Sequence, residues 1–246
     1  MPTITDTGIC IRRWDFSETS QTVSIFTREH GIIRALAKGA KRTRGSFSGG
    51  LDVLTRGHLA AIVKPGRDLS TLTEWHLEAT YRALRQSLAA NRAGLYMADL
   101  VHHMLTGHDP YPELFDELAN ALEKLADPAA IDEALLRFQW ALLVQAGYQP
   151  ELDRDAESGE ALSSTSTFAF SPRAGGLVAD TGSADRWRVR GATIDLLRDL
   201  ATGRPVASRG GEAIMRANRL LASYCREIAG RDFPTLRWAF SDAGPP

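Results

Sequence analysis

Near residue 79 the spacing of apolar residues changes period, and one kind of element cannot carry both periods. Up to that point apolar side chains alternate: Ile9 with Ile11, and Val23 with Ile25, stand two apart between punctuating Gly, Asp and Ser. A period of two puts successive side chains on opposite faces, which is the geometry of a strand. From Ala79 onward Leu84, Leu88, Leu95, Leu100 and Leu105 recur at roughly helical spacing until Gly107 and Pro110. A stripe of that period is buried along one side of a helix. The chain is therefore expected to be an α+β multi-domain protein, strands first and helices after.

Within the strand region, GIIRALAKG, LDVLTRGHLAAIV and DLSTLTEW are separated by Gly39, by the glycine-rich GSFSGG and by Pro65-Gly66. Five short strands in about 70 residues predict a small closed barrel, and the OB-fold fits that count. Its face and loops commonly hold single-stranded nucleic acid. Residues 1–78 are thus read as an OB-fold β-barrel and 79–246 as a helical domain. Further helices are expected after Pro112 until Asp127-Pro128, then in AAIDEALLRFQWALLVQAG, where Gly147 suits a C-terminal cap. Residues 149–187 have few apolar anchors and predict an irregular or small β element, and TIDLLRDLATG and EAIMRANRLLASYCREIAG predict two closing helices before an extended tail.

Charge is distributed unevenly. Residues 28–67 hold nine Lys or Arg against Glu29 and Asp52, whereas 107–160 hold thirteen acids against three bases, although the formal net charge of all 246 residues is -1. Such asymmetry points to a polyanionic partner for the basic part, the alternative being two solvated faces. If GIIRALAKG is a strand, Ile32, Arg34, Leu36 and Lys38 share one face while Ile33, Ala35 and Ala37 share the other. The loop that follows adds Lys41, Arg42 and Arg44, so that five cations line one path for a phosphate backbone. Phe47 is placed either to stack on a base or to plug the barrel end.

Other chemistry finds little support. The serine spacing in GSFSGG is wrong for a nucleophile elbow, and no GK[ST] follows a glycine-rich loop. His102 and His103 are adjacent and point to different helix faces, so they cannot chelate as an i, i+4 pair does. Cys10 and Cys225 read as buried small hydrophobes. Apolar runs such as Leu59 to Val63 are far too short to cross a bilayer, and the opening MPTITDTG lacks the layout of a signal peptide. A cytoplasmic, nucleoid-associated protein without enzymatic activity is expected, with no membrane contact.

Several stretches together resemble the RecO family of bacterial recombination mediators. They are ETSQTVSIFTREHGIIRALAKGAKR, STLTEW, PELFDELANALEKLA, and LLVQAGYQPELDR followed by FAFSPRAGGLV. The resemblance implies an OB-fold, a helical domain and a zinc-finger-like element within it. It also implies a non-catalytic protein that binds single- and double-stranded DNA, anneals complementary strands, and works with RecR and single-strand binding protein to help load the recombinase filament. The basic barrel surface would then be Arg34, Lys38, Lys41, Arg42 and Arg44, with Phe47. An OB-type RNA-binding module and a protein adaptor are the alternative readings of the residues alone.

One departure is chemically decisive. Where many members of that family carry two Cys-x-x-Cys pairs, this chain has Asp155 and Ser158, then Ala179 and Gly182. Alanine and glycine carry no ligand atom, so a four-thiolate zinc site cannot form, and no metal or other cofactor is expected. Packing by Phe168, Phe170, Leu177 and Val178 is expected to hold the element instead.

Overall fold

The computed structural model describes residues 2–42, 47, 51–63, 68–105, 107, 109–163 and 165–240. The chain divides into two compact units, Met1–Pro128 and Ala129–Pro246.

The first unit is built on five strands: β1 (Thr3–Asp15), β2 (Gln21–Thr27), β3 (Gly31–Ala37), β4 (Arg56–Ile62) and β5 (Ser70–Ala79). They close into a barrel in the order β1-β2-β3-β5-β4. All pairings are antiparallel except β3 with β5, which run parallel from Ala35↔Ser70 to Ala37↔Leu72. Alternation decides which side chains point inward: in β3, Ile33, Ala35 and Ala37 are fully buried while Arg34 is exposed. Trp75 fills the interior, and it fits because residue 57 is glycine. A Cβ there would lie 2.8 Å from the Trp75 ring and 2.6 Å from the His76 carbonyl oxygen.

Three helices complete this unit: α1 (Ala83–Gln86), α2 (Leu88–Met104) and α3 (Pro112–Lys124). The single helical stripe expected from 84 to 105 is broken at Ser87. That residue is extended, and its hydroxyl accepts the Ala90 N–H at 3.3 Å, so it starts a new helix instead of continuing the old one. Residues 24–27 of β2 are buried on both faces, α3 covering the outer side at Phe26, whereas Thr22 is half-buried. Phe115 of α3 packs on Phe26 with ring centroids 5.7 Å apart.

The second unit contains α4 (Ile131–Gln145), β6 (Thr167–Ser171), β7 (Gly176–Val178), β8 (Trp187–Arg190), α5 (Gly191–Ala201), α6 (Gly211–Ala229) and the short α7 (Leu236–Ala239). Helices α4 and α6 are joined by a buried polar knot. Gln139 donates to Asn218 at 2.7 Å, and Asn218 donates to the Asp132 carbonyl at 2.8 Å, so neither buried amide goes without a partner. The small β element is a three-stranded sheet in the order β7-β6-β8. It docks through Phe170, which stacks on Trp187 at 5.8 Å and meets Tyr224 of α6 edge-on at 5.3 Å. The described part of the tail expected to be extended contains one helical turn, with Ala239 donating to the Thr235 carbonyl, after the buried Phe233; residues 241–246 lie outside the described residues.

Candidate nucleic-acid interface

The outer face of β1, β2 and β3 carries two cross-strand rows. Arg12 opposes Ser24, which opposes Arg34; one step along, Trp14 opposes Thr22, which opposes Leu36. The rows align because β1 shifts register between Cys10 and Arg12, which re-aims the residues that follow. Beyond the rows, Lys38 follows β3, and the turn after it is tied back to the β1–β2 connection. Lys41 donates its backbone N–H to the Thr19 carbonyl, its ammonium lies 2.7 Å from Asp15, and the Gly39 N–H reaches the Ser20 hydroxyl at 3.2 Å. These bonds bring Lys41 and Arg42 beside the segment that bears Phe16.

Two aromatic rings stand open on this surface: Trp14 is 40% exposed and Phe16 is 61% exposed. Sequence reasoning missed both. The available signal was a tryptophan at the polar end of a strand followed at once by an acid and a second aromatic. Phe47, by contrast, packs against the barrel core. Arg44 lies outside the described residues.

The basic strip does not act as one body. Arg28 makes paired hydrogen bonds to Asp116 of α3 at 3.0 and 2.8 Å, and Arg56 pairs with Glu78 at 2.9 Å and lies 3.8 Å from Glu123. Those bonds hold the Asp116 carboxyl below its ordinary range. Arg34, Lys38 and Arg42 are exposed, and among the described residues their side chains have no hydrogen bond or ion pair. Arg12 is held by Asp99 of α2 at 2.5 Å. Burial, together with the charges of Arg12, His103 and Arg34, pushes the His102 imidazole down to about 4, so it is neutral near pH 7 beside Trp14. The surface thus combines uncompensated cations with exposed rings, a combination suited to a polyanion with flat bases.

In the second unit, Asp155 is the side chain around which the residues at 155–158 and 179 are organised. Asp155 is 6% exposed. One of its carboxylate oxygens accepts the N–H groups of Glu157 and Ser158 at 2.8 and 3.0 Å, and the other accepts the Ala179 N–H at 2.6 Å. Those three bonds hold its carboxyl below the usual carboxylate range. One side chain therefore ties together two segments that are 24 residues apart in sequence. Arg186 adds a second tie, donating to the Ala179 carbonyl and to Glu157. These residues do not fit a zinc ion. Ala179 and Gly182 offer no donor atom, and both Asp155 oxygens are already engaged. Among the described residues, no group of three or more His, Cys, Asp or Glu is placed to hold a metal.

Comparison with known proteins covers most of the chain. The model for the Recombination protein O N-terminal domain matches residues 1–81, and the model for its C-terminal domain matches residues 85–237. The chain belongs to the RecO family. RecO relatives named DNA repair protein RecO include one from Rhodopirellula baltica, 35% identical over 79% of this chain and 74% of its own length. One from Methylococcus capsulatus is 34% identical over 79% and 77%, and one from Salinibacter ruber is 31% identical over 97% and 88%. Membership of RecO makes this a protein of DNA repair and recombination. No helix among the described residues is long and apolar enough to cross a membrane.

Proposed function

We propose that the barrel is an OB-fold whose β1–β3 face binds single- and double-stranded DNA, and that the chain anneals complementary strands without catalysing a covalent step. The observation that carries this reading is the set of exposed cations Arg34, Lys38 and Arg42, whose side chains have no partner among the described residues, beside the open rings of Trp14 and Phe16. Cations on such a face neutralise phosphates, and the rings stack on bases without reading their sequence. Screening two phosphate backbones lets complementary strands approach, and that is the step annealing requires.

On this reading the protein works with RecR and single-strand binding protein to help load recombinase. The three-stranded sheet of the second unit is then the counterpart of the family's zinc-binding element, held by Asp155 in place of a metal.

The test is a salt titration of oligonucleotide binding. Five phosphate contacts on a single strand give a slope of about -3.5, so affinity falls roughly a hundredfold between 50 and 200 mM salt. Lys41→Glu with Arg42→Glu removes two contacts. It is expected to weaken binding to all sequences and to flatten the slope by about 1.4. Unchanged binding by the double variant moves the site elsewhere on the molecule. Preference for a ribo- over a deoxyribo-oligonucleotide in competition would replace DNA by RNA as the ligand.

A further inference from the structure

The second unit carries a basic groove that the charge pattern of the sequence did not single out. It runs between β8 and α6, has a volume of about 470 Å³, and among the described residues no acidic residue lines it. On α6, Arg216, Arg219, Ser223 and Arg226 follow one another at intervals of three and four residues. They form one stripe on the helix, about 15 Å long. The opposite side of α6 is apolar and buried through Ala217, Leu221 and Cys225. The stripe residues are half-buried, and the core on the opposite side of the helix does not require their charges. From β8, Arg188 and Arg190 are exposed to either side of buried Val189, as strand alternation requires.

The charges are only partly compensated. Arg216 pairs with Glu212, Arg226 lies 3.3 Å from Glu227, and Arg188 lies 3.9 Å from Asp180. The side chains of Arg190 and Arg219 have no hydrogen bond or ion pair among the described residues. Trp187, anchored on one side by stacking on Phe170, lines the same groove. Guanidinium groups match phosphate oxygens two bonds at a time, and a fixed indole edge or face beside them suits a base better than an acidic side chain.

We propose that this groove is a second nucleic-acid site, taking the phosphate backbone of a single strand along Arg216, Arg219 and Arg226, with Arg188, Arg190 and Trp187 on its other wall. The inference rests on the proposed role of the barrel face and deepens it. Annealing needs two strands held at once, and each unit then supplies one site.

The experiment uses the full chain with Arg190→Glu and Arg219→Glu together, a pair whose loss breaks no ion pair among the described residues. Its companion, Arg190→Gln with Arg219→Gln, covers the case in which charge reversal harms folding. Both are compared with the wild type by thermal unfolding, by stoichiometric titration with a short fluorescent single-stranded oligonucleotide at 50 mM salt, and by the annealing rate of two complementary strands. Expected for both variants are an unchanged unfolding midpoint, a drop from two oligonucleotides per chain to one, and at least a tenfold slower annealing. A stoichiometry and annealing rate equal to the wild type overturn the groove while leaving the barrel reading intact. So does loss of binding to a polyglutamate peptide with DNA binding unchanged, which would make the groove a peptide site. A wild-type chain that binds no oligonucleotide at all overturns the barrel reading itself.

Discussion

Asp155 shows how one carboxylate can tie two segments that are distant in sequence. Zinc gathers two loops by drawing four thiolates to one point; Asp155 gathers them by accepting three N–H bonds with two oxygens. Because those bonds favour the charged form, its folded pKa is depressed, and the stabilisation is present above the unfolded value of about 3.9. It is lost as pH falls through the folded pKa. Asp155→Asn is therefore expected to lower the unfolding temperature at pH 7, with the gap to the wild type closing below about pH 4. A gap that is constant from pH 7 to pH 3 would show that the charge contributes nothing. Gly57 makes a steric case at the same scale. Gly57→Val drives a branched side chain into Trp75 and the His76 carbonyl, and overpacking of this kind costs about 1–3 kcal/mol, read as a lower urea midpoint at unchanged slope.

At the scale of the element, strand β1 does two jobs along its length. Its middle, Ile9 to Ile11, is buried, whereas Arg12 and Trp14 lie on the outer face after the register shift. A ring that is 40% open beside Arg34's row is poorly explained by packing and well explained by a ligand. Trp14→Ala is expected to reduce affinity for a single-stranded oligonucleotide by about fivefold to a hundredfold, as loss of one base stack would. Phe47→Ala would be read chiefly in stability, because that ring packs on the barrel core. If the two outcomes are exchanged, the stacking role belongs to Phe47. Helix α6 is divided in a similar way, around its circumference instead of along its length: one side is core, and the other bears three arginines.

For the whole molecule, the absence of ligand atoms at Ala179 and Gly182 leads to an expectation about metal. Elemental analysis should find no stoichiometric zinc, and a strong chelator should leave the unfolding transition in place, whereas a chain held by structural zinc would lose stability on chelation. About one zinc per chain would overturn the assignment of Asp155 as the tie.

Much of the architecture was legible in the residues. Period two before residue 79 and helical period after it are local properties, written in side chains two to four positions apart, and so the five strands and the main helices could be read in order. The alternation that exposes Arg34 and buries Ile33 and Ala35 was legible for the same reason. The expectation that no four-thiolate zinc site forms rests on the residues at four positions, Asp155, Ser158, Ala179 and Gly182. What required the tertiary structure was every pairing at a distance. The sequence shows nine cations in one strip, but only folding brings Asp116 to Arg28, 88 residues away, and Glu123 to Arg56, while Arg34, Lys38 and Arg42 have no side-chain partner among the described residues. Likewise the sequence shows an aspartate where a cysteine was expected, and only the approach of residue 179 gives that carboxylate its third bond. Periodicity and composition act over a turn or a pleat, whereas charge pairing and burial depend on which distant segments the chain packs together.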